Sequence, residues 1–86
     1  KRSKEKMMIY YCVEVIVGKK HGFIAKSSKE FLNTWNQAAC FEDFDKADEC
    51  GTNAYFTAKR LYPRTKDIGY RILATKVTPA RADIIK

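Results

Sequence analysis

The sequence predicts an α+β domain: a small antiparallel sheet of about three strands, in the order β-β-α-β, with one main helix packed on one face. Three observations carry that prediction. A ten-residue run from Met8 to Val17 is rich in β-branched and aromatic residues, a stretch from Asp43 to Leu61 repeats small apolar residues at steps of three and four, and Ile68 to Val77 returns to strand composition. Strands and one helix in this order pack most economically as two layers.

The first strand places Ile9, Tyr11, Val13, Val15 and Val17 on one face and Met8, Tyr10, Cys12, Glu14 and Ile16 on the other. The second face is apolar enough to be partly covered, as a central strand would be. Gly18-Lys19-Lys20-His21-Gly22 has the composition of a short hairpin loop, and Phe23 to Lys26 reads as the returning strand. Ser27-Ser28-Lys29-Glu30 offers a capping box ahead of Phe31, Leu32 and Trp35, so residues 27–41 are read either as holding a helical turn or as an irregular excursion.

The helix begins at Asp43 or Asp45, and Ala47, Cys50, Gly51, Ala54, Ala58 and Leu61 form its apolar stripe. Tyr55 and Phe56 are expected to flank the contact, and Gly51 to cost about 1 kcal/mol relative to Ala. Acidic residues open the helix, Lys59-Arg60 close it in keeping with the macrodipole, and Pro63 stops it. In the last strand Tyr70, Ile72 and Ala74 share one face, and Arg71, Leu73, Thr75 and Val77 the other. Thr78-Pro79 ends it, and residues 80–86 form a tail, either a helical turn or an added edge strand.

The domain thus spans residues 8–79 behind a basic arm, residues 1–7, which is expected to be flexible. The arm and the apolar run have the charge order of a signal peptide, but no small-residue cleavage site follows, so the run is read as a strand. No apolar run approaches the roughly 18 to 20 residues that span a bilayer, and no membrane association is expected. Cys12, Cys40 and Cys50 are odd in number, lack a C-x-x-C pair and share the chain with one histidine. They are read as small buried hydrophobes ahead of metal or redox chemistry, which fits a reducing, cytoplasmic setting.

Charge is segregated. The net formal charge is +7, from 17 Lys and Arg against 10 Asp and Glu. Glu42, Asp43, Asp45, Asp48 and Glu49 fall in one stretch with a single base, Lys46, which leaves 16 bases against 5 acids elsewhere. Such an imbalance favours a phosphate-bearing partner over a merely solvated surface. The candidate nucleic-acid contacts are Lys19, Lys20, His21, Lys26, Lys59, Arg60, Tyr62, Arg64, Lys66 and Arg71. They join into one patch if the helix runs so that its end meets the hairpin. Tyr62 lies between two arginines and could stack on an unpaired base, which favours RNA or other single strands; Phe23 is read as core.

The acidic stretch either complements the helix N-terminus or, as the alternative, docks a protein partner or another copy of the chain. The unpaired edges of so small a sheet would serve a partner strand or homo-oligomer equally. No phosphate-binding loop, dinucleotide fingerprint, nucleophile elbow or zinc-protease motif occurs, so no cofactor or metal is expected, and a binding module is preferred to an enzyme. A small enzyme using His21 as a base is the third reading.

The run Trp35-Asn36-Gln37-Ala38-Ala39-Cys40-Phe41-Glu42-Asp43-Phe44-Asp45-Lys46-Ala47, then the helix, then Gly69-Tyr70-Arg71-Ile72-Leu73, resembles small bacteriophage accessory proteins. The resemblance implies a phage-encoded, counter-defence inhibitor in the host cytoplasm, acting on an RNA-processing or defence factor such as an RNA-cleaving toxin. The expected function is therefore that of a basic RNA-binding accessory protein. The alternative is a protein-binding inhibitor of a host enzyme, working through a sheet edge or the acidic helix start.

Overall fold

The computed structural model describes residues 9–26, 30–76 and 84–85. Their elements are β1 (Tyr10–Val17), β2 (Lys20–Phe23), a single 3-10 turn (Trp35–Gln37), β3 (Cys40–Phe41), α1 (Phe44–Leu61), β4 (Ile68–Thr75) and β5 (Ile84–Ile85). The α+β architecture is the one expected, with two short strands added. The basic arm, Ser27 to Lys29 of the capping box, Val77 to Asp83 and Lys86 lie outside the described residues.

β1 is the central strand because both of its faces are apolar enough to be covered. Along one edge it pairs antiparallel with all of β4, from Tyr10↔Thr75 to Val17↔Ile68. Its other edge is shared. β2 takes the half from Glu14 to Val17, β3 takes Tyr11 through Phe41, and β5 adds to β3 in parallel. The tail thus contributes an edge strand. Among the described residues the outer edge of β4 pairs with no strand, and no helix is long and apolar enough to cross a membrane.

The described part of the segment between β2 and β3 is an irregular excursion that holds one 3-10 turn at Trp35–Gln37. Asn33 fastens it: its backbone exchanges both hydrogen bonds with Phe23, at 2.8 and 2.9 Å, and its Nδ2 donates to the Glu30 carbonyl at 2.9 Å. The chain returns to the sheet when the Ala39 N–H donates to the Ile24 carbonyl at 2.9 Å.

The main core lies between sheet and helix, where Val13, Val15, Val17 and Phe41 meet Ala47, Ala54 and Ala58. A stripe of small residues lets the helix lie close to the sheet, and the closest approach is at Gly51. A Cβ there would sit 2.3 Å from Cδ2 of Tyr70. The sequence counted Gly51 as a cost to the helix; the structure makes it the seat of the Tyr70 ring. The Tyr70 hydroxyl then donates to Oδ1 of Asp48 at 2.8 Å and shares a 3.1 Å hydrogen bond with Thr52, which fastens α1 to β4.

The stripe ends sooner than its periodicity suggests. Leu61 is 51% exposed and lines an open cleft together with Ile24 and Phe31. Phe56 points away from the sheet at 62% exposure, and Ala74 at the far end of β4 is exposed as well. The helix ends are as expected, with Asp43 as N-cap accepting from the Asp45 N–H at 2.9 Å and Tyr62 as C-cap ahead of Pro63.

A second, smaller core covers part of the opposite face. Cys12, Ala38 and Cys40 are fully buried, with Tyr10, Phe23 and Trp35 packed around them. The 3-10 turn sets the Trp35 indole edge-on to Phe23 at 5.4 Å between centroids. Cys12 and Cys40 face each other across β1 and β3 with their sulfurs 3.5 Å apart.

Candidate nucleic-acid interface

The hairpin is tighter than its composition suggests. β1 ends at Val17 and β2 begins at Lys20, so the loop is only Gly18-Lys19. Gly18 has φ +64° and no other residue has positive φ among those described, which is the signature of a type II′ turn with glycine first. Gly22 belongs to β2, paired with Val15, and His21 is a strand residue paired with Ile16. The sequence had set both in the loop; the shorter turn moves them into the ladder.

This turn meets the loop that follows α1. The Gly18 N–H donates to the Asp67 carbonyl at 2.7 Å, and Thr65 lies against Gly18. This contact joins the hairpin to the loop after the helix, next to the start of β4. Lys19 in the turn, Lys20 at the start of β2, and Arg64 and Lys66 from the loop after α1 share one end of the molecule, all exposed. Lys59, Arg60 and Tyr62 flank it on the last turn of α1 and its cap. Lys59 Nζ lies 5.5 Å from the Tyr55 ring centroid. Arg60 turns into the cleft of about 510 Å³ that Glu30, Phe31 and Leu61 also line. Tyr62 is 36% exposed, its ring tilted toward Phe31.

Three of the ten expected contacts, Lys26, Arg71 and His21, stand apart. Lys26 follows the cleft residues Ile24 and Ala25, away from the turn. Arg71 lies in mid-strand on the sheet face opposite the helix, where it meets Glu14, its cross-strand partner on β1. The Arg71 Nε donates to Glu14 Oε1, and His21 Nδ1 approaches Glu14 Oε2 at 3.6 Å. Glu14 is only 8% exposed, whereas the side chains of His21 and Arg71 are 54% and 61% exposed. Three strands thus build a row of Arg71, Glu14 and His21, with Phe23 and Trp35 beside it.

The sequence places Glu14 on this face but does not reveal its ion partners, nor Trp35 as a neighbour. Period two puts Glu14 with Cys12 and Ile16, but its partners come from strands 7 and 57 residues away in sequence. No local pattern signals them.

The acidic stretch divides. Asp43 caps α1 and Asp48 accepts from Tyr70, so these two carboxylates serve the fold; Glu42 is half-buried, and Asp45 and Glu49 are exposed. The cysteines are poor nucleophiles. Burial, aided by the hydrogen bond and charge interaction with Cys40, pushes Cys12 up to about 12, and burial raises Cys40 and the half-buried Cys50 as well.

Comparison of the chain with protein-family models, with curated proteins and with solved structures finds no match.

Proposed function

We propose that this chain is a small RNA-binding domain that grips the phosphate backbone of single-stranded RNA at its hairpin end. The observation that carries the reading is the hydrogen bond from Gly18 to Asp67, because it holds two separate basic loops together. Four cations on one rigid end form a local positive potential that attracts a polyanion and releases its counterions on binding. Tyr62 and the flanking Lys59 extend the surface along the helix end, and the exposed Tyr62 ring supports the preference for unpaired bases. A phage-encoded role against a host RNA-processing or defence factor, which the resemblance implies, would then work by occupying that factor's RNA.

Fluorescence anisotropy with a short labelled RNA, titrated at two salt concentrations, tests the reading. Binding that weakens steeply with salt and is lost in the double variant Lys19→Glu, Lys20→Glu supports it. Absence of binding at low salt ends it.

The outer edge of β4, eight residues without a partner strand among those described, favours a second reading as a protein-binding inhibitor through strand addition. Capture of a protein target by nuclease-treated chain, abolished when proline replaces Ile72, would favour that reading.

A further inference from the structure

The row on the open sheet face has a composition that its structural role does not explain. A carboxylate at position 14 of the central strand is nearly buried, and moving an ion out of water costs several kcal/mol that a pairing only partly returns. An apolar residue would pack there at lower cost. Both partners of Glu14 nevertheless keep more than half of their side-chain surface in solvent. Glu14 faces the Nδ1 side of His21, which leaves Nε2 on the outer side of the ring. Arg71 meets Glu14 through Nε, so the two NH2 groups at its tip remain for another anion.

We infer that His21 and Arg71, with Glu14 as their positioning residue, form a catalytic site that cleaves RNA at a phosphodiester beside a 2′-hydroxyl. The inference rests on the RNA-binding reading, since the basic end delivers the strand to this face. Arg71 holds the non-bridging oxygens and takes up the charge that develops on them. His21 Nε2 accepts the 2′-hydroxyl proton as the 2′-oxygen bonds to phosphorus. The imidazolium returns that proton to the 5′-oxygen as the P–O5′ bond breaks. The products are a 2′,3′-cyclic phosphate and a 5′-hydroxyl, with no co-reactant consumed and His21 restored. Glu14, its Oε2 3.6 Å from Nδ1, holds that side of the ring by charge and holds Arg71 across the strand through the Nε bond.

The test uses the full chain, an end-labelled single-stranded RNA in the presence of EDTA, and the same sequence with 2′-O-methyl groups, which can bind but cannot be cut. Cleavage of the unmodified RNA to a cyclic-phosphate end is expected. His21→Ala should lose about 10²- to 10⁴-fold in rate, the range for a removed acid–base group. Its binding of the 2′-O-methyl RNA should fall by far less than the rate, since the basic end that grips the backbone is intact. Arg71→Lys should also lose rate. Glu14→Gln should lower kcat with KM little changed, a split that a purely structural pairing would not give. Tight binding of 2′-O-methyl RNA with the unmodified RNA left whole overturns the inference and leaves the RNA-binding reading intact. Absence of binding to either RNA overturns both. Equal cleavage by wild type and His21→Ala overturns the assignment of His21.

Discussion

Gly51→Ala puts the packing of helix on sheet to its most direct test, because intrinsic propensity and tertiary contact predict opposite signs. On propensity alone, alanine in mid-helix gains about 1 kcal/mol over glycine. In the fold, the new methyl group would lie 2.3 and 2.4 Å from two carbons of the Tyr70 ring, so ring or helix must move by about 1 Å to restore ordinary contact. Overpacking of this kind costs about 1 to 3 kcal/mol. Moving the ring also strains the bonds from its hydroxyl to Asp48 and Thr52, each worth about 1 kcal/mol. The net expectation is a loss of about 2 kcal/mol, or a fall in Tm of roughly 8 to 16 °C for a domain of this size. Urea denaturation followed by circular dichroism measures it. In the Tyr70→Ala background the ring is gone, and Gly51→Ala should become neutral or stabilising. A single Gly51→Ala variant more stable than the parent would refute the packing argument.

Three further outcomes are expected. Because the Cys12 thiol is held at about 12 against 9.0 for an ordinary thiol, its contribution to stability is complete below pH 9 and is lost as pH rises toward 12. The slope in that window is about 1.4 kcal/mol per pH unit, and the stability advantage of the parent over Cys12→Ala in denaturation melts should shrink there as pH rises. Alkylation of the native protein at neutral pH should label Cys50 first and reach Cys12 and Cys40 only after denaturation, as mass spectrometry of the modified peptides would show. The variant Lys59→Glu with Arg60→Glu should weaken RNA binding less than Lys19→Glu with Lys20→Glu, since the first pair flanks the hairpin end and the second lies on it; anisotropy ranks the two.

The parts of the fold that local chemistry specifies were legible in the sequence. The period-two run of β-branched residues marked β1, and its apolar second face marked a central position. The small-residue stripe with Asp43 before it and Pro63 after it marked α1. Elements that depend on distant partners were not legible. Glycines at both ends of residues 18–22 suggested a wide loop, but only Gly18 takes the turn, and that difference carries His21 from a loop onto the face of Glu14. The bond between Arg71 and Glu14 joins residues 57 apart, and the excursion that brings Trp35 onto Phe23 follows no period. Of the candidate site, the cationic residues could be named from charge alone. Their division among the hairpin end, the cleft and the open face follows from strand register.

The central claim is that two basic loops act as one phosphate-binding end, and the salt dependence of RNA affinity measures it most directly. With four cations each displacing counterions from a single strand, log Kd should rise with log salt at a slope of about 2.8, and the double variant Lys19→Glu, Lys20→Glu should lower that slope by about 1.4. A slope near zero in the parent, or one that the double variant leaves unchanged, would contradict the account.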